Sequence, residues 1–475
     1  MSRVAVRLPI SSLFARERLW GLARDFTWIN LAVLAGNLAS YGYQLGMSRT
    51  LTVADYGLWN ALLAIAILLQ IPMWTINMMV ARRVAQLAAQ GAGGEIQDYL
   101  LEMLRGVSRL IVVGVLLYAL LIPVLLSALD VRSPVPLLLI AVVGATGLLF
   151  PFGIGTLQGF QRFGVVGWAT FIQRCGIFAG LALVTAGAGV SGAIAGLVIG
   201  NICGILFSFG MSRLELSRRN SVSEVRRERF DNGSDRTWPV VATYAILTML
   251  LYMDMLLARY YLDPDVAGRY ATVSMLGKAI YYGSFAVLIL LVPKVASAHA
   301  AGRDTAPYLH LGLAITALLV APAACLFLLF PSQAISILFG NKYAGDSMAT
   351  FARVYIVAAI FLTLVATASH YYLAKQAHSF LWAIVAAPAL SLLMVIFRHD
   401  TPTDVAWAMV IGSGSALAGL CLVQAPWRRI PYWYSLSTSP ALRSMGTFVR
   451  TKLPRIPSFS EPTARGTTED SHRRG

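Results

Sequence analysis

The stretch RTLTVADYGLW at residues 49–59 has an echo in RYYLDPDVAGRY at residues 259–270. In both, an arginine (Arg49, Arg259) stands where a long apolar run ends and a short polar loop begins. An acidic residue (Asp55, Asp265), a glycine (Gly57, Gly268) and an aromatic residue (Trp59, Tyr270) then open the next apolar run, with Tyr56 beside the first glycine. A hydrophobic hairpin recurring half a chain apart implies two homologous lobes. Two membrane lobes that face each other define a cavity able to open on either side, which is the architecture of a secondary transporter.

Working outward from that hairpin, the whole chain reads as membrane protein. Hydrophobic residues make up 57% and charged residues 13% of it, with a mean hydropathy of +0.68. That leaves too little polar surface for a soluble protein of this length. Apolar stretches of spanning length fall at 27–48, 58–81, 107–129, 135–158, 165–187 and 190–212 in the first half. They recur at 238–260, 270–293, 307–331, 348–374, 379–397 and 405–425 in the second, about twelve helices in all. The segments are too long and too uniformly apolar for the alternating strands of a membrane barrel. The expected fold is an all-α polytopic bundle of two pseudo-symmetric six-helix lobes, 27–212 and 238–425.

Charge sets the orientation. Most Lys and Arg fall on one side of these spans: Arg3 to Arg24, Arg82 to Arg109, Arg162, Arg213 to Arg236, Lys294, Arg303, Lys375 and the tail from Arg428. The positive-inside bias then puts both termini in the cytoplasm. The net charge of +16 follows from this bias and from attraction to anionic lipid rather than from nucleic-acid binding, for which no basic module is present. Residues 1–26 show no cleavable signal and read as an amphipathic lead-in along the inner membrane surface. Residues 213–237 read as a basic cytoplasmic linker, and 426–475 as a basic disordered cytoplasmic tail.

Several chemistries find no support in the residues. Cys175, Cys203, Cys325 and Cys421 lie inside expected helices without metal-ligand or disulfide spacing, and the six histidines are scattered. There is no Walker A loop and no nucleophile elbow, which argues against an ATP-driven pump or a membrane hydrolase. No cofactor and no enzymatic activity are expected. Gly192, Gly196, Gly200 and Gly204 recur every fourth residue in the sixth span, and Gly176 and Gly180 repeat the spacing in the fifth, a pattern that lets backbones approach closely. Pro72, Pro123, Pro151, Pro322 and Pro388 fall within expected helices and permit bends.

Local patterns in a consistent order carry a family resemblance. They are VADYGLWNALLAI at 53–65, TLQGFQRFGVVGW at 156–168, YMDMLLARYYLDPDVAGRYA at 252–271, LLVPKVAS at 290–297 and ILFGNKYAG at 337–345. Together they resemble the multidrug, oligosaccharidyl-lipid and polysaccharide exporter superfamily, and within it the Wzx-type polysaccharide transporters. That resemblance implies a flippase that turns a polyprenyl-pyrophosphate-linked oligosaccharide from the cytoplasmic to the outer leaflet of a bacterial cytoplasmic membrane. It also implies partnership with glycosyltransferases and a polysaccharide polymerase. The number of spans departs from the related peptidoglycan-precursor flippases, which carry additional helices.

Charges inside the spans point to the site. An ionisable group near the bilayer centre costs about 2.5–3.5 kcal/mol and needs a partner or water. Arg174 lies about 10 residues into the fifth span and Lys278 about 9 into the eighth, roughly 14–15 Å at the helical rise, so both fall near mid-membrane. Arg49, Arg259 and Arg353 lie nearer the outer ends. Lys278, Arg174, Arg49 and Arg259 are therefore the candidate cavity cations: Arg offers a fork of donors to phosphate oxygens and Lys a point charge. The bland alternatives are snorkelling for Arg174 and interfacial anchoring for Arg49 and Arg259. Asp254 either neutralises Lys278 or Arg259 in a structural pair or couples transport to an ion gradient by protonation. Tyr41, Tyr43, Gln44, Trp74, Asn77, Trp168 and Gln173 are candidates for a sugar-accepting lining, or else interfacial anchors and interhelical hydrogen bonders. The rival readings are a multidrug exporter of the same architecture, against which the scarcity of membrane carboxylates argues, and a membrane glycosyltransferase or polymerase, against which the short outer loops argue.

Overall fold

A chain surrounded by lipid must close its backbone hydrogen bonds within each segment. In the computed structural model, which describes residues 35–220, 238–343 and 345–424, all regular structure is accordingly helical. The first half contains α1 (35–50), α2 (Val53–Leu69), α3 (Met73–Ala89) and α4 (Gly93–Ala128). It continues with α5 (Val135–Gly159), α6 (Phe163–Gly176), the short α7 (Ala179–Leu183) and α8 (Gly189–Asn220). The second half contains α9 (Trp238–Tyr261), α10 (Pro264–Gly283), α11 (Phe285–Ala300) and α12 (Ala306–Leu329). It ends with α13 (Pro331–Phe339), a single tight turn at Asn341–Tyr343, α14 (Asp346–Ala374), α15 (Phe380–Phe397) and α16 (Pro402–Gln424).

Among the described residues nine segments are long and apolar enough to cross a membrane. The protein is an all-α polytopic membrane protein. Its outer surface agrees: Leu116 and Leu120 on α4 and Leu318 on α12 remain 62%, 74% and 74% exposed, an apolar shell that water would not tolerate. The longest of the nine, Phe163–Arg218, doubles back on itself. A Cβ on Gly176 would lie 2.8 Å from Gly200 Cα, and one on Gly180 would lie 2.9 Å from Gly196 Cα, so the α6–α7 segment runs antiparallel to α8. The two glycine ladders read from the sequence interlock. The chain reverses at a π-helical turn, Val184–Ala188, where Gly187 at φ +93° and Gly189 at φ +54° occupy the left-handed region.

Three expected spans are interrupted. The span expected at 58–81 is cut at Gln70–Pro72, so Pro72 starts α3 rather than bending one helix, because it has no N–H to continue α2. The span expected at 165–187 is divided between α6, α7 and the π-helical turn. A further break at Ser284 separates α10 from α11. The helix α8 continues past the expected lobe end at 212 to Asn220, while the remainder of the 213–237 linker, the 1–26 lead-in and the 426–475 tail lie outside the described residues.

The halves meet where α2 crosses α10. Thr52 caps α2, its Oγ1 accepting the Asp55 N–H at 3.1 Å, and Pro264 begins α10 with its fixed φ. Five residues in, both helices present glycine. A Cβ on Gly57 would fall 2.7 Å from the backbone N of Gly268, so the helices touch through bare backbone. Around this crossing gather five of the largest fully buried rings, Trp59, Tyr56, Tyr270, Tyr343 and Phe339.

Gly57→Ala and Gly268→Ala should each destabilise the protein by about 1–3 kcal/mol, since the added methyl meets backbone that cannot yield. Gly114→Ala, whose Cβ would meet nothing within 4 Å, should leave stability unchanged or slightly raised. Thermal unfolding of the three purified variants in detergent checks the contrast; equal melting temperatures would show that the crossing is not tight.

Candidate functional site

The two cations expected near mid-membrane approach the same pair of tyrosines from opposite halves. Lys278 on α10 is 4% exposed, and its Nζ sits 4.4 Å above the ring of Tyr252 on α9. The Tyr252 hydroxyl is 2.8 Å from that of Tyr282 at the end of α10. Arg174, in the last turn of α6, lies within electrostatic reach of both hydroxyls. Its stem packs on α1, where a Cβ on Gly36 would fall 3.2 Å from Arg174 Cγ, and its buried Nε has no hydrogen-bond partner. A desolvated cation without a counter-charge is costly; Arg259 Nη1 is likewise buried without a hydrogen-bond partner.

Asp254 sits deeper in the second half and is completely buried. Its Oδ2 accepts from Tyr355 OH at 2.6 Å and Ser274 Oγ at 2.9 Å, while Oδ1 has no partner. Ser274 precedes Lys278 by one helical turn, which puts the ammonium within Coulombic reach of the carboxylate without a direct ion pair. Arg259 turns elsewhere, so of the two structural partners considered for Asp254 only Lys278 is near it.

Arg49 and Arg259 each bond a backbone carbonyl of the other half. Arg49 Nη2 donates to the Ile337 carbonyl at 3.2 Å, and Arg259 Nε donates to the Leu129 carbonyl at 3.1 Å. Each arginine thus reaches from its own half to a helix end in the other. Lys342 Nζ donates to the Leu51 carbonyl at 2.6 Å and Tyr343 OH to the Ser48 carbonyl at 2.9 Å, while Tyr343 and Phe339 pack against the Tyr56 ring. Partial burial in this turn holds the Lys342 ammonium below the usual lysine range. These bonds seal the end at which α2 and α10 begin. Arg259 lies seven residues beyond Tyr252 along α9, about 10 Å from the Lys278–Arg174 cluster. Arg353 likewise bonds a helix end, the Leu328 carbonyl at 3.1 Å.

Most of the candidate sugar-lining residues are committed to packing. Tyr43 OH donates to the Ala193 carbonyl at 2.8 Å, Trp59 Nε1 donates to Gln44 Oε1 at 3.0 Å, and Gln173 Nε2 donates to Asn201 Oδ1 at 2.9 Å. Trp168 is 61% exposed against Phe171, Tyr41 packs on the main core, and Asn77 lies half-buried on α3. Trp74 behaves differently. It stacks on Tyr244 of α9 at 5.6 Å and 12°, and Tyr244 OH lies 3.3 Å from His370 Nε2. The tyrosines of α9 and α10, Tyr244, Tyr252 and Tyr282, carry much of the site and were not among the sequence candidates. Their accumulation in two adjoining spans was the available signal.

Comparison with known proteins places the fold. The sequence pattern of a family described as polysaccharide biosynthesis protein matches residues 22–299, more than half of the chain. No curated protein matches the sequence. Among solved structures, the lipid II flippase MurJ in an inward closed conformation is similar with a TM-score of 0.62 at 15% identity, over 90% of this chain and 93% of that one. An inward-facing multidrug resistance MATE family transporter of the MOP superfamily is similar with a TM-score of 0.63 at 12% identity, over 81% and 93%. The eukaryotic MATE transporter AtDTX14 gives 0.55 at 14% identity, over 85% and 95%. At these identities the likeness is one of fold.

Asp254→Ala should lower stability by about 1–3 kcal/mol through the unpaired Tyr355 and Ser274 hydroxyls. Asp254→Asn, which keeps an acceptor for both, should cost less. Melting curves of the two variants in detergent measure the difference, and the reverse order would remove the structural role assigned to the carboxylate.

Proposed function

The chain belongs to the polysaccharide biosynthesis protein family, and we propose that it is a flippase carrying a polyprenyl-pyrophosphate-linked oligosaccharide across a bacterial cytoplasmic membrane for surface polysaccharide assembly. The observation that carries the reading is the pair Lys278 and Arg174, one from each half, flanking the Tyr252–Tyr282 hydroxyls. A pyrophosphate between them would be met by a guanidinium fork, a point charge and two hydroxyl donors. The adjoining Trp74 and Tyr244 rings offer apolar faces to sugar.

The same reading takes the helices as twelve crossings in two lobes, 27–212 and 238–425, with both termini cytoplasmic. To the nine apolar segments it adds the second arm of the α6–α8 hairpin, α1, and the α10–α11 pair. The end sealed by Arg49, Arg259, Lys342 and Tyr343 is then the outer one, and the cargo headgroup enters from the cytoplasmic side. Transport consists of the lobes rocking about the Gly57–Gly268 crossing, which breaks those carbonyl bonds in turn. Each is a single side chain–carbonyl bond worth about 0.5–1.5 kcal/mol net, up to about 3 where the donor is charged, a seal that headgroup binding can overcome.

A multidrug exporter of cationic compounds fits less well. It would need a carboxylate open to the drug, and the Asp254 Oδ2 is already occupied by two hydroxyls in a fully buried place. Glycosyltransferase and polymerase proteins remain as partners that supply and consume the cargo.

Lys278→Ala and Arg174→Ala should each abolish polysaccharide export while protein abundance in the membrane stays at the wild-type level, and Lys278→Arg should retain part of it. Surface polysaccharide measured against membrane abundance reads both quantities. Wild-type export by Lys278→Ala at normal abundance would overturn the cation assignment.

A further inference from the structure

The carboxylate of Asp254 is completely buried on α9, and its two oxygens are partnered unequally. Oδ2 accepts from Tyr355 OH at 2.6 Å and from Ser274 Oγ at 2.9 Å, while Oδ1 has no hydrogen-bond partner. A buried carboxylate oxygen without a donor is costly, so the place beside it suits a donor that comes and goes. Two side chains with a proton to offer lie within electrostatic reach of the carboxylate, Tyr270 and Lys278. The Tyr270 ring is fully buried and packed on Phe351 and Tyr355, at 5.0 and 5.7 Å between centroids, which leaves it no room to swing. Lys278 has a flexible stem and a compact charge, and it stands one helical turn beyond Ser274 on α10. Its Nζ rests over the ring of Tyr252, two residues from Asp254 on α9. Arg174, by contrast, has Tyr252 and Tyr282 as its electrostatic neighbours.

We propose that Asp254 is a resident counter-ion that competes with the cargo for Lys278: the ammonium faces the phosphate while cargo is bound and swings to Asp254 Oδ1 on release. The inference rests on the flippase reading and gives that carrier its release step. A site built of desolvated cations holds a pyrophosphate well and lets it go slowly, because departure strands a bare ammonium in a dry place. A carboxylate nearby with one oxygen open offsets that cost, since the ammonium exchanges one anion for another. The Tyr355 and Ser274 hydroxyls tune the competitor. By donating to Oδ2 they draw off part of its charge, which keeps it too weak to hold Lys278 against arriving cargo. Asp254 meets no phosphate itself and acts through Lys278, so it is a positioning residue.

The test uses the full-length protein and a radiolabelled polyprenyl-pyrophosphate-linked disaccharide. Affinity and dissociation rate are measured in nanodiscs and translocation in vesicles, on variants whose melting curves show them folded. Asp254→Asn should tighten binding about tenfold through slower dissociation, and should slow translocation by a similar factor. Tyr355→Phe, which strengthens the competitor by removing a donor from Oδ2, should shift affinity and dissociation the other way. Asp254→Glu keeps the charge and should release cargo at about the wild-type rate. In Lys278→Ala protein, where Arg174 alone holds the phosphate, adding Asp254→Asn should leave dissociation unchanged. Weaker binding or unchanged dissociation in Asp254→Asn would overturn the exchange. So would the same tenfold gain in the absence of Lys278, which would show repulsion of the cargo by a fixed charge. Wild-type affinity in Lys278→Ala protein would remove the cation assignment of the flippase reading, whereas weakened binding there with no effect of Asp254→Asn would remove the exchange alone.

Discussion

Contact of bare backbone at Gly57 and Gly268 is the constraint on which the rest of the arrangement depends. Two helices can come so close only where neither carries a side chain, and a Cβ on Gly57 would stand 2.7 Å from the Gly268 nitrogen. Because α2 and α10 touch there, the ends of α1 and α9 are drawn to the same level, and Arg49, Arg259, Lys342 and Tyr343 reach carbonyls across the seam. On the two-lobe reading each glycine touches its own counterpart, which puts the crossing on the axis relating the lobes. A contact on the axis is the one place where rocking displaces little, so it suits a pivot.

Away from that pivot, side-chain contacts also join the halves. The Trp74–Tyr244 stack bridges α3 and α9, and Arg174 approaches the Tyr252–Tyr282 pair that Lys278 already covers. Bare backbone at one end and movable rings and cations at the other give the molecule a stiff end and a soft end. A desolvated cation without a counter-charge is stable only in a well-braced bundle, and the close glycine packing of α6 and α7 on α8 supplies the bracing for Arg174.

The spans were legible in the sequence because the bilayer sets a length of about 20 apolar residues that α4, α5, α9, α12, α14 and α16 all meet. Glycine spacing was equally legible: Gly176 and Gly180 do face Gly200 and Gly196, since period-four spacing leaves one bare stripe. The interruptions at Pro72 and Ser284 were not, because hydropathy continues across a broken helix. Arg49 and Arg259 are offset by a single residue relative to the two glycines. Counted back from Gly57 and Gly268, they are eight and nine positions away, and one residue is a rotation of about 100° on a helix. Arg49 is consequently exposed, while Arg259 is 8% exposed. The tyrosines beside the two cations are not legible in the same way, because Tyr252 and Tyr282 contribute rings and hydroxyls that look like ordinary interfacial anchors in one dimension.

The most direct test of the account is translocation by the purified protein. Vesicles carrying a polyprenyl-pyrophosphate-linked sugar in both leaflets would be treated with a glycosidase confined to the outside, and the cleaved fraction followed with time. The account predicts that wild-type protein brings the inner-leaflet pool within reach of the enzyme and that Lys278→Ala protein does not. Cleavage that stops at the outer-leaflet pool in vesicles with active, folded wild-type protein, as in vesicles without protein, would contradict it.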